Sequence, residues 1–147
     1  MFKFGLQRVL DLREKKEQEV ATELAAARER AEAARAAAAA LAGVRLAGEE
    51  QLAAAHAGAS TVGELRQLAY VLDQLDLHIA AAEGVAAERD ADVGRAQLDL
   101  NAAFRDRHVL DRLKERHLDA HRANAAQADR QTMDAIALSR FGRRDTT

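Results

Sequence analysis

Not one of the 147 residues is a proline, and that absence constrains the fold more than any residue present. Proline is the residue that most reliably ends or kinks a helix, so nothing here forces a helix to stop. From Leu6 to about Ala55 the apolar positions step by three and four, through Leu6, Leu10, Val20, Leu24, Ala27, Ala31, Ala34, Ala38, Leu41, Gly48, Leu52 and Ala55. A second stripe runs Leu65, Leu68, Leu72, Leu75, Ile79, Ala82, Ala86, Val93, Ala96, Leu100, Ala103 and Leu110. This is the a/d rhythm of a coiled coil, sustained over many heptads. Arg13, Glu17 and Arg45 interrupt the first stripe, and Arg89 and Arg107 the second.

The two stripes are separated by HAGASTVGE, which holds Gly58, Ser60, Thr61 and Gly63. Thr61 and Glu64 have the T-x-x-E spacing of a capping box, and Gly58 suits the end of the helix before it. The sequence therefore predicts an all-α fold, a single coiled-coil hairpin over residues 1–147 made of two long antiparallel helices. Helix one is expected over about 3–57, the loop over about 58–62 and the longer helix two over about 63–141, with a frayed tail at 142–147. A turn centred near residue 60 pairs Leu52 with Leu68, Leu41 with Ile79, Leu24 with Ala96, Val20 with Leu100 and Leu10 with Leu110. Small residues then meet small ones in the middle, and large meet large toward the ends. Each arm is on the order of 80 Å long.

This register exhausts helix one near residue 120. Beyond it, QTMDAIALSRF carries Met133, Ile136, Ala137 and Phe141 at helical spacing, with no partner inside the chain. An apolar face of that kind implies a partner molecule or a frayed segment. Charge is unevenly placed. The stretch 64–103 is acidic, and the stretch 105–144 is rich in Arg and Lys.

Composition excludes most chemistry. Aromatic residues make up 3% of the chain and cysteine is absent, so no disulfide, thiolate site or Cys nucleophile is available. A net charge of −2 gives no pull toward nucleic acid. His117 and His121 have metal-ligand spacing on a helix, but no third ligand accompanies them, and solvated or seam-edge histidines are the plainer reading. No phosphate-binding loop, dinucleotide fingerprint or nucleophile elbow is present. No enzyme activity, cofactor, metal or small-molecule substrate is expected. Charges at Lys3, Arg8, Asp11 and Arg13 rule out a signal peptide. The run from Ala36 to Ala42 is too short to cross a bilayer.

Half of the four phenylalanines, Phe2 and Phe4, fall in the first four residues. Phe2-x-Phe4-x-Leu6-Gln7-x-Val9-Leu10-x-x-Arg13-x-x-x-Glu17 resembles the N-terminal signature of the FliJ family, the flagellar type III export stalk proteins. LAYVLDQLDLHI resembles that family's segment at the start of its second helix, HVLDRLKERH its basic stretch, and TMDAIALSRF its C-terminal motif. Gly5 and Ala135 depart from the family's usual residues.

The resemblance implies a hairpin like the central stalk of rotary ATPases, non-enzymatic and stimulating a partner ATPase. It implies three partners: the hexameric export ATPase FliI, the export gate protein FlhA and export chaperones. It also implies a cytoplasmic location, peripheral at the inner membrane through those partners. Met133, Ile136, Arg140 and Phe141 are the expected ring contacts, with Phe2 and Phe4 as helpers or, equally, as a plug on the end of the coiled coil. Val71, Leu75, His78 and Ala82 match the face that meets the export gate, and Leu75 and Ala82 also serve the seam. Two alternatives stay open on sequence: an injectisome-type stalk, and a purely structural, dimerising coiled coil.

Overall fold

The computed structural model describes residues 1–144, the side chain of Arg144 excepted. Among them there are two elements, α1 (Gln7–Ala57) and α2 (Val62–Arg144), and no strand. They pack against each other as a helical hairpin. By internal packing the chain divides into two compact units: Gln18–Ala102, and Met1–Glu17 with the chain from Ala103 onward.

Within the Gln18–Ala102 unit the two helices run antiparallel, because contacts that advance along α1 recede along α2. Arg28 donates to Gln97, Arg35 pairs with Asp90, and Arg45 pairs with Asp76. The core is thin, since the seam is built largely from alanine. Leu24 and Ala27 are buried with Ala96, and Val93 and Leu100 close over them. Leu72 and Ala86 are also buried, and Leu41, Leu52, Leu65, Leu68 and Ile79 are half-buried. Opposite Leu72 stands Gly48, where a Cβ would come within 2.8 Å of the Leu72 Cδ2. Glycine at this seam position lets a leucine cross the gap.

The turn forms as its residues dictate. Gly58 N–H donates to the Ala55 carbonyl, closing α1. The Thr61 hydroxyl accepts from Glu64 N–H, and a Glu64 carboxylate oxygen accepts from Thr61 N–H. This reciprocal capping box satisfies N–H groups that the first turn of a helix leaves without partners.

In the unit that holds residues 1–17, Phe4, Leu10 and Ala103 are buried, and Leu110, Leu113 and Leu118 are half-buried. Leu6, expected in the seam, is instead 41% exposed. Helix α1 begins at Gln7 rather than near residue 3, and Gln7 N–H donates to the Phe4 carbonyl. That bend ahead of the helix turns Phe4 inward and Leu6 outward. At its far end α2 continues through Arg144, past the expected stop at 141. Of the tail expected to fray, residues 145–147 lie outside the described residues.

Four of the five charged interruptions in the stripes have a common explanation. Arg13 pairs with Asp106, Glu17 with Arg107, and Arg45 with Asp76. Each of these, with Arg107 as the partner of Glu17, is one half of an ion pair between the helices, whereas Arg89 pairs with Asp92 along its own helix. Arg107 also pairs with Asp111 and lies over the Phe104 ring, 5.3 Å from its centroid. The hydrogen bond to Glu17 raises the Arg107 pKa above its ordinary value, against a smaller desolvation penalty. Hydrogen bonds to Asp76 and then Glu49 do the same for Arg45.

Candidate functional site

Along α2 burial stops abruptly. Leu118 is half-buried, and every described residue from Asp119 to Arg143 is exposed. Beyond His121, about six successive helical turns therefore lie with their side chains exposed. The segment stays helical by local means: Arg130 and Thr132 donate to carbonyls four residues back, and Asp119 pairs with Arg122 one turn on. Met133 (68% exposed), Ile136 (43%) and Phe141 (69%) stand on one broad face with Arg140. Spacing of three and four residues puts them side by side. Large apolar side chains interleaved with a guanidinium form a surface suited to a partner that is apolar with acidic edges. Leu138, 72% exposed, widens this face next to Phe141 and was not singled out by the stripe. Its signal was present in the charge-free run AIAL, where two apolar residues fall between the stripe positions.

The two N-terminal phenylalanines behave differently from those side chains. Phe4 is buried and meets the His117 ring edge-on, with centroids 5.7 Å apart. Phe2 is half-buried and meets His121 in the same way at 5.6 Å. Lys114 donates to the Gln7 side chain at 2.8 Å beside them. Residues 1–6 thus form a strap clipped onto α2 by two aromatic contacts. Phe4 is thus buried against α2, and Phe2 is half-buried beside it. The same contacts account for the histidine pair. Each imidazole packs on a phenyl ring, and no group of three potential metal ligands exists among the described residues.

The second expected surface lies near the start of α2. Val71 and His78 are exposed, whereas Leu75 and Ala82 are half-buried toward the seam. The structure brings these four onto neighbouring positions of one helix but divides them between solvent and packing. Tyr70, 62% exposed beside Val71, points to solvent. A shallow groove at this end, about 410 Å³, is lined by Gln51, Ala55, Ser60, Glu64, Leu68 and Val71 among others. No described helix is long and apolar enough to cross a membrane.

The model of a family described as the flagellar FliJ protein matches residues 2–146, nearly the whole chain. No curated protein and no solved structure matches.

Proposed function

The chain belongs to the FliJ family, whose members are non-catalytic components of flagellar protein export, and we propose that it is the stalk that couples the export ATPase ring to the export gate. In this reading the exposed end of α2 enters the hexameric ATPase FliI. Met133, Ile136, Arg140 and Phe141 contact the ring there and promote its assembly or turnover. Val71 and His78, with Leu75 and Ala82 shared with the seam, form the surface for FlhA. Export chaperones are the third class of partner. The protein sits on the cytoplasmic side of the inner membrane through these contacts.

The observation that carries the proposal is the exposed segment from Asp119 to Arg143 with its large apolar side chains. A helix that exposes Met133, Leu138 and Phe141 at about seven-tenths of their surface is built to be covered.

The test is ATP hydrolysis by the cognate export ATPase with the full chain and with a truncation ending before Met133. Stimulation by the full chain that is lost on truncation supports the proposal. Stimulation kept on truncation moves the ring contact elsewhere. No stimulation by either folded protein favours a purely structural coiled coil.

A further inference from the structure

Helix α2 carries a second unpartnered face, on the side turned away from the seam. Tyr70, Leu77, Gly84, Ala91 and Leu98 recur every seven residues. In the coiled-coil repeat they occupy the position opposite the a/d stripe, which is ordinarily charged and solvated. Here the three large members are 62%, 65% and 66% exposed. At Gly84 an added Cβ would meet nothing within 4 Å, unlike at Gly48. No packing inside the hairpin accounts for a glycine in that helix interior, where it costs stability. Large side chains at both ends and small ones between them make a shallow trough that a helix with protruding side chains fits. Asp73, Glu83, Glu88 and Asp99 flank it, while Asp76 and Asp90 are already held by arginines of α1.

The chain itself contains a helix of the matching kind. The segment from Asp119 to Arg143 exposes Met133, Ile136 and Phe141 together with Arg130 and Arg140. Its apolar side chains are large where the trough is small, and its four arginines, Arg122, Arg130, Arg140 and Arg143, outnumber Asp119, Asp129 and Asp134 where the trough is acidic. We propose that the exposed end of α2 in one copy docks on the outer face of α2, between Tyr70 and Leu98, in a second copy. The two surfaces are different patches, so each copy offers one of each to its neighbours. Copies add to one another with concentration, and each docked copy has its extension covered. Self-association and any other partner of that extension are therefore mutually exclusive. The inference rests on the extension being a docking helix and not on the export ATPase being its partner.

Two variants separate the halves of the contact. A chain ending before Met133 keeps only the trough. A Tyr70→Asp, Leu77→Arg, Leu98→Asp chain keeps only the extension, and its three changes lie at exposed positions, so helicity by circular dichroism is expected to be unchanged. Sedimentation velocity is the readout, at about 100 µM protein in about 50 mM and about 0.5 M salt. The full chain should show an average mass that rises roughly two-fold or more with concentration at low salt and falls back at high salt. Each variant alone should stay at the mass of one chain, and the two mixed should form a one-to-one complex. A full chain that stays single at low salt overturns the inference. So does a trough variant that still associates, which would mean that extensions pair with each other. A mixture that forms no complex overturns it as well. ATPase stimulation plays no part in these outcomes, so the stalk proposal stands or falls separately.

Discussion

Helix α2 contains two regions of similar composition and opposite fate. Up to Leu118, positions three and four apart sink into a seam; from Asp119 to Arg143 every side chain is exposed. Both regions are alanine-rich, charged and helical. The difference is what lies opposite. In the first region charges reach across to α1, as Arg107 does to Glu17 and Asp106 to Arg13. In the second they reach along their own helix, as Arg122 does to Asp119. Helical periodicity therefore reports that a face exists, and only the register of the hairpin decides whether that face is spent on folding or left for binding.

The sharpest way to break this comparison is to cut the same kind of side chain from each region. Leu24 is 4% exposed and packed among Ala27, Ala96 and Val93. Leu24→Ala should cost about 2–4 kcal/mol, by lost burial and by a cavity that small neighbours fill poorly. Ile136→Ala removes an exposed side chain and improves helix propensity, so its effect should lie within about 0.5 kcal/mol of zero. Urea unfolding measures both. Similar losses would mean that the extension is packed in solution. For partner binding the order should reverse, with Ile136→Ala, combined with Met133→Ala, weakening ATPase stimulation.

Glycines sharpen the comparison within the paired region. An added Cβ at Gly48 would come within 2.8 Å of the Leu72 Cδ2, which must then move, whereas one at Gly43 meets nothing. Gly48→Leu should destabilise by about 1–3 kcal/mol through overpacking. Gly43→Ala should stabilise by up to about 1 kcal/mol, because only helix propensity changes. Thermal unfolding gives both signs. If Gly48→Leu were neutral, the two helices would not hold the close approach seen at Leu72.

Much of this was legible in the sequence. The hairpin followed from two stripes, one break and the Thr61–Glu64 spacing, all local signals. The pairing of Leu24 with Ala96 followed from a single assumption about where the turn lies. Several things did not follow. Arg13, Glu17 and Arg45 looked like defects in a stripe, because an ion pair between helices depends on which residue stands opposite. Phe4 stayed open between a ring contact and a plug, because its burial depends on the bend at residues 4–7 and the distant His117 ring. Leu6 lost its seam position to the same bend. On the extension, the helical stripe marked Met133, Ile136 and Phe141 but passed over Leu138, since a periodic template misses a residue that only broadens a face.

A loss of about 1 kcal/mol is expected for Thr61→Ala, which removes one half of the capping box at the start of α2. The smallest expected effect concerns the charges that distinguish the two regions. The Arg107 pKa is raised in the folded state, first by its hydrogen bond to Glu17. A raised folded pKa stabilises fully below the unfolded value and is lost only as pH climbs through the folded one. For arginine both values lie in the strongly alkaline range, so the contribution should not vary between about pH 6 and about pH 9. Glu17→Gln should therefore lower the melting temperature by the same amount across that window. The deficit should shrink in high salt, because the pair is only partly shielded from solvent. Asp119→Asn, which removes an exposed pair on the extension, should shift the melting temperature at neither salt concentration. A Glu17→Gln deficit that changed between pH 6 and 9 would show that a group other than Arg107 titrates against Glu17, and that the paired region is held by a different network from the one its geometry indicates.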